Sequence, residues 1–283
     1  FTAEAVTRAC LERIEARDRE VKAWAFIDPE LALSQARAID RNGAKGVLAG
    51  VPLGIKDIFD TFDMPTDMGS PIYRGNRTFA DASSVALARR AGAVILGKTV
   101  TCEFAGLTPN VTRNPHDLDR TPGGSSSGSG ASVADAMCAV AYGTQTGGSV
   151  LRPASFCGAV GYKPSYNLIA RGGIKFAAES RDTIGLIARS VDDADLVASV
   201  LIARPLSPRR DTPPRIGLCR THLWEHALPE SKHAVEDSAR RLEASGASLV
   251  DVNLPESFEA LAEARTIVNP VERARSMAHE WNT

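Results

Sequence analysis

Residues Thr121–Gly158 read TPGGSSSGSGASVADAMCAVAYGTQTGGSVLRPASFCG, and the architecture turns on what the serine- and glycine-rich beginning of that stretch is. Composition alone suggests a flexible linker. A linker, however, has no use for the apolar run behind it, since ASVADAMCAVAYGTQT has the alanine and valine content of a buried helix entering a buried strand. The loop is therefore expected at the start of a helix, with backbone N–H groups exposed. Two short-motif readings fall away. Gly124 to Gly128 spells GSSSG, formally a nucleophile elbow around Ser126, but the preceding DLDRTPG is no strand and Pro122 cannot donate to a ladder. A phosphate loop needs G-K-[ST] after its glycines and a dinucleotide loop needs G-x-G-x-x-G after a strand, and neither spacing is met.

Working outward, TGGSVLRPA places Gly147 and Gly148 directly before Ser149. Paired glycines let successive backbone N–H groups converge without side-chain obstruction, the geometry an oxyanion hole requires. Upstream, GVPLGIKDIFD alternates Val51, Leu53 and Ile55 with Pro52, Gly54 and Lys56 at strand period, which turns Lys56 away from the aliphatics and Asp57 to the opposite face. Further segments repeat a helix and strand rhythm. DASSVALARRAG reads as a helix before the strand AVILGKTV, DDADLVASVLIA as another helix, and PRIGLCR, SKHAVEDSARRLEASG and ASLVDVNL as strand, helix and strand before a last long helix. At the start, Thr2 caps a helix in which Val6, Cys10 and Ile14 recur, and PELALSQARAIDRNG carries a proline suited to a first turn. Helices alternating with short β-branched runs imply an α/β fold around a largely parallel sheet.

Charge and composition exclude several classes of function. The chain has 33 basic and 34 acidic residues, a net charge of -1, and 43% hydrophobic residues beside 24% charged ones. That balance fits an ordinary globular protein and leaves no electrostatic footprint for nucleic acid or an anionic membrane. No apolar run approaches the roughly 20 residues a membrane helix needs, and the first residues are unlike a signal peptide, so the expected location is the cytoplasm. Five scattered cysteines with no C-x-x-C pair suggest neither a disulfide framework nor a zinc site. The histidines are dispersed, His222 and His226 in HLWEH being read as solvated, and Cys157 as core packing.

Taken together, Lys56, GGSSSGSGAS and TGGSVLRPA resemble the amidase signature family, with the signature core at about residues 121–164. GKTVTCEFA and GAVGYKPS extend the likeness over nearly the whole chain. The resemblance implies the amidase signature fold, a central mixed and mostly parallel β-sheet flanked by helices on both faces. It implies Ser149 as nucleophile, Lys56 as base and Ser125, after a cis peptide bond, as the bridging serine. Backbone N–H groups of Thr146, Gly147 and Gly148 would hold the oxyanion, with Ser126 and Gln145 in support. No metal or organic cofactor is implied, and the partner is a small amide, with a homodimer left open. Lys56 must be uncharged to act, yet from its ordinary pKa only about one lysine in a thousand is neutral near pH 7, so burial has to depress it.

Two departures narrow the expectation. The family commonly has aspartate where this chain has Gln145, and the arginine of its S-I-R-x-P stands one place later, at Arg152. Both resemble the malonamidase subgroup and count against a tRNA-dependent amidotransferase subunit. Arg152 is then either a bidentate partner for a substrate carboxylate or the partner of an internal acid. Ser127 also stands where the family usually has glycine. The expected function is hydrolysis of a small carboxamide, with malonamate as the type substrate. A ureido substrate of the biuret or allophanate kind, and an inactive binding subunit, are the alternatives. Residues 1–283 are read as one amidase domain expected to continue past Thr283, with the proline- and arginine-rich Arg204–Pro214 as a surface loop within it.

Overall fold

A computed structural model describes residues 1–205 and 212–282. Most of the expected surface loop, residues 206–211, lies outside the described residues. The chain divides into two compact units, Phe1–Leu206 with Glu272–Thr283, and Ser207–Val271. In chain order the first unit contains α1 (Ala3–Val21), β1 (Trp24–Ile27), α2 (Pro29–Arg41), β2 (Pro52–Lys56), α3 (Ser83–Arg90), β3 (Val94–Thr99), α4 (Ser127–Ala134), β4 (Val140–Gln145), α5 (Leu151–Phe156), β5 (Val160–Tyr162), β6 (Thr183–Ala188) and α6 (Val191–Ile202).

Every residue of β2, β3, β4 and β6 is buried, the pattern of strands covered on both faces, whereas β1 and β5 are only half-buried. The strand order β1-β3-β2-β4-β6-β5 explains the difference, because the two half-buried strands form the edges. β2 runs parallel to both β3 and β4, while β1 and β6 run against their neighbours and β5 against β6. β2, β3, β4 and β5 thus point one way and β1 and β6 the other, giving the mixed sheet. Alternation assigns its faces. Ile95, Tyr142 and Leu186 pack with Val85 of α3 and Val197 and Leu201 of α6. Leu96, Ala141 and Ile187 pack on the other side with Ala3, Ala32, Ala36, Val133 and Ala154, from α1, α2, α4 and α5. Helices therefore cover both faces.

The helix signals at the amino end hold with one change. Thr2 accepts from the Ala5 N–H at 3.1 Å and Pro29 opens α2, but the buried line of α1 runs through Ala3, Thr7, Ile14 and Val21, leaving Val6 half-buried. A larger change concerns the serine-rich loop: α4 starts at Ser127, inside it, and Ser125 to Val133 are buried without interruption. Gly128 is the tightest point. A Cβ there would stand 2.1 Å from the Ala23 carbonyl oxygen and 2.4 Å from the Val100 nitrogen, so only glycine lets the helix approach β1 and β3 this closely.

The second unit holds β7 (Arg215–Leu218), α7 (Pro229–Ala244) and β8 (Ser248–Asp251), with β7 and β8 paired in parallel, as a strand, helix and strand pattern requires. α8 (Leu261–Ser276) crosses the boundary at residue 271, and α9 (Ala278–Trp281) belongs to the first unit. Among the described residues, no helix is long and apolar enough to cross a membrane.

Candidate active site

Lys56 ends β2, one of the two central strands of the sheet, and is 0% exposed. Its Nζ lies 2.8 Å from Ser125 Oγ and 2.9 Å from Thr144 Oγ1. Desolvation brings its pKa down from 10.5 to about 7, against the opposing pull of Cys102 and Asp182. Asp57 turns away, as strand alternation requires, and pairs at 3.2 Å with the buried Lys98. Lys98 is further held by the carbonyl oxygens of Phe59 and Pro65 and the Thr66 hydroxyl at 2.8–3.0 Å. The neighbouring carboxylate is thereby occupied elsewhere, and among the described residues Lys56 has two hydroxyl partners and no direct acid partner.

Ser125 is buried and follows a cis Gly124–Ser125 peptide bond. Its carbonyl accepts from the Cys102 N–H at 3.1 Å, which pins the loop to the segment after β3. Ser126 joins the two halves of the site. Its N–H donates to the Ser149 carbonyl at 3.3 Å, and its hydroxyl bridges the Thr144 N–H and carbonyl at 3.4 Å each. Ser149 itself is half-buried between Gly148 and α5. Its backbone is stitched to the Ser125 loop; a hydrogen bond between the Ser149 and Ser125 hydroxyls is not formed among the described residues.

The turn carrying Ser149 is anchored on both sides. Gln145 Oε1 accepts from the N–H groups of Val150 and Leu151 at 2.9 and 3.0 Å, a side-chain cap on the short α5. The Thr146 hydroxyl donates to Asp182, which stands just before β6. Between these anchors lie Gly147 and Gly148, and a Cβ on Gly148 would meet no atom within 4 Å, so the turn borders open space.

Arg152 has a partner that neither sequence expectation named. From Nε and Nη2 it donates to the Gly124 carbonyl, at 3.1 and 2.6 Å, tying α5 to the cis loop. It also lines a cavity of about 290 Å³ with Cys102, Asn110, Gly124 and Phe156. Ser127 fits the helix start, its hydroxyl donating to the Val100 carbonyl at 3.3 Å. Cys157 lies in the core with its thiol pushed up to about 12 by burial. Among the described residues, no His, Cys, Asp and Glu cluster could hold a metal ion. Sequence reasoning missed Thr144, Cys102 and Asp182. The only signal for Asp182 is an acidic residue directly ahead of a strand, Thr183–Ala188, that is apolar after its first residue.

Comparison with known proteins adds the relationships. The amidase family model matches residues 5–281. A glutamyl-tRNA(Gln) amidotransferase subunit from Oleidesulfovibrio alaskensis is 41% identical over 288 residues, covering 93% of this chain and 59% of that protein. A solved amidase structure superposes with a TM-score of 0.89 at 32% identity, covering 99% of this chain and 66% of that one. Native peptide amidase from Stenotrophomonas maltophilia gives a TM-score of 0.84 at 32% identity, covering 99% and 65%. The chain spans about three-fifths of the length of the curated relatives it matches. Contrary to the expectation drawn from Gln145 and Arg152, similarity at this level includes amidotransferase subunits.

Proposed function

The chain belongs to the amidase family, and from that premise we propose that it cleaves the C–N bond of an amide through an acyl-enzyme on Ser149. The observation that carries this reading is the fully buried Lys56 amine, 2.8 Å from the Ser125 hydroxyl and with a pKa of about 7. A lysine so placed can be uncharged at neutral pH and accept a proton. Ser149 Oγ attacks the carbonyl carbon while its proton passes to Ser125, and the Ser125 proton passes to Lys56. The oxyanion is held by N–H groups of Thr146, Gly147 and Gly148. When the C–N bond breaks, Lys56 returns the proton through Ser125 to the leaving nitrogen. Water then attacks the ester by the same relay, releasing the acid and restoring Ser149.

The substrate we propose is a small carboxamide bearing a carboxylate, of which malonamate is the simplest type. Arg152 lines the cavity beside Gly124 and is its proposed charge partner. The 41% identity to an amidotransferase subunit supports a second reading, in which the same centre cleaves an amide within a complex that receives the nitrogen. Ammonia release from carboxylate-bearing and carboxylate-free amides, by the protein alone and with Ser149→Ala as control, tests both. Release from malonamate by the protein alone favours the first reading, and release only with added partner subunits favours the second. Turnover undiminished in Ser149→Ala sinks both.

A further inference from the structure

Asp182 belongs to no motif read from the sequence, yet it is the most heavily engaged carboxylate beside the turn that carries Ser149. It is 3% exposed. One oxygen accepts from the Thr146 hydroxyl, and the other from the N–H groups of Ala177 and Ala178 at 2.6 and 3.0 Å. The Arg171 guanidinium donates at 3.2 Å to the carbonyl of the same residue. Three donors from two segments fix this carboxylate in one orientation.

Elsewhere the turn is held at its Ser149 end, where the Gly148 carbonyl accepts from the Arg152 N–H at 2.8 Å and the Ser149 carbonyl from the Ser126 N–H at 3.3 Å. Gly147 and Gly148 have no side chains, and Gln145 acts on the far side by capping α5. At the other end the anchor is the Thr146 side chain, bound to Asp182. Resting on the catalytic reading above, we infer that Asp182 is a positioning residue of the reaction: it fixes the oxyanion-binding turn through Thr146. Holding the turn sets the rate once Lys56 is neutral, and the pH at which Lys56 becomes neutral is left to its burial.

Fluorophosphonate labelling of Ser149, followed by mass spectrometry across the neutral pH range, tests this in the whole natural protein without a known substrate. Asp182→Asn is expected to slow the plateau labelling rate by about 10- to 100-fold, somewhat below the loss of a direct oxyanion donor. Thr146→Val should slow the plateau with the acid limb unmoved, and Thr146→Ser should restore the rate. An unchanged plateau in Asp182→Asn, or a plateau lost in Thr146→Val that Thr146→Ser does not restore, overturns the inference while leaving the nucleophile in place. If Asp182→Asn does not fold, Thr146→Val decides, and a wild-type rate in that variant overturns it. No labelling of Ser149 in the unaltered protein overturns the catalytic reading itself, and this inference with it.

Discussion

Lys98 and Asp57 form a buried ion pair at 3.2 Å, with side chains 0% and 3% exposed, one residue along from Lys56. Removing one member of such a pair leaves an uncompensated charge in a dry interior. Lys98→Met is therefore expected to lower unfolding stability by about 3 to 5 kcal/mol, measured as a shift in the denaturant midpoint. Adding Asp57→Leu removes the stranded carboxylate, so the double variant should regain part of the loss. A double variant less stable than Lys98→Met alone would show that the pair is not the source of the effect.

Replacing Lys56 should move activity and stability in opposite directions. Its pKa is about 7 when folded and near 10.5 when unfolded. Acylation should rise with pH through about 7 as the amine loses its proton. Between the two values the unfolded chain binds more protons than the folded one, so stability also rises with pH across that window. Lys56→Met removes both dependences. It should abolish hydrolysis and stabilise the protein below pH 7 by on the order of 5 kcal/mol, less about 1 kcal/mol for each of the hydrogen bonds lost at Ser125 and Thr144. The gain should fade towards pH 10.5. Chemical denaturation at several pH values checks this, and a gain that does not depend on pH would count against a depressed lysine.

The legibility of these features in the sequence follows from how locally each is encoded. Lys56 is readable because a lysine ending an alternating apolar strand must be buried or turned aside, and β7, α7 and β8 are readable because their periods change abruptly. The start of α4 is hidden, because serine and glycine disfavour helices intrinsically and only tertiary contacts reverse that preference. Ser129, hydrogen-bonded at 2.7 Å to both the Tyr142 carbonyl and Thr99 Oγ1, supplies such contacts. Asp182 and Thr146 lie 36 positions apart, and the Arg152 partner is a backbone carbonyl 28 positions away. No local pattern records either.

Gln145 tests whether the cap on α5 serves the nucleophile. Gln145→Leu removes the oxygen that accepts from Val150 and Leu151. The expected cost is about 1 kcal/mol of stability, typical of a lost helix cap. A drop in kcat larger than the change in KM should accompany it, because Ser149 immediately precedes the capped residues. Gln145→Glu keeps an acceptor at the positive end of the helix and should retain the stability. Equal stability of the leucine and wild-type proteins in thermal melts would remove the cap from the account.

Two glycines of the site region separate packing from chemistry. At Gly128 an added methyl would meet the Ala23 oxygen at 2.1 Å and the Val100 nitrogen at 2.4 Å, both backbone atoms of the segments flanking β1 and β3. Neither can yield as a flexible side chain could, so Gly128→Ala should cost at least about 3 kcal/mol or prevent folding. At Gly148 the same methyl meets nothing within 4 Å, and Gly148→Ala should melt within a degree or two of the wild type, as open-space substitutions do. The open space there is where the proposed oxyanion would sit, so Gly148→Ala should nevertheless lower kcat by about 10-fold or more. Melting curves and labelling rates on the two variants decide the matter: a stable, fully active Gly148→Ala would remove this turn from the catalytic centre, whatever Gly128→Ala does.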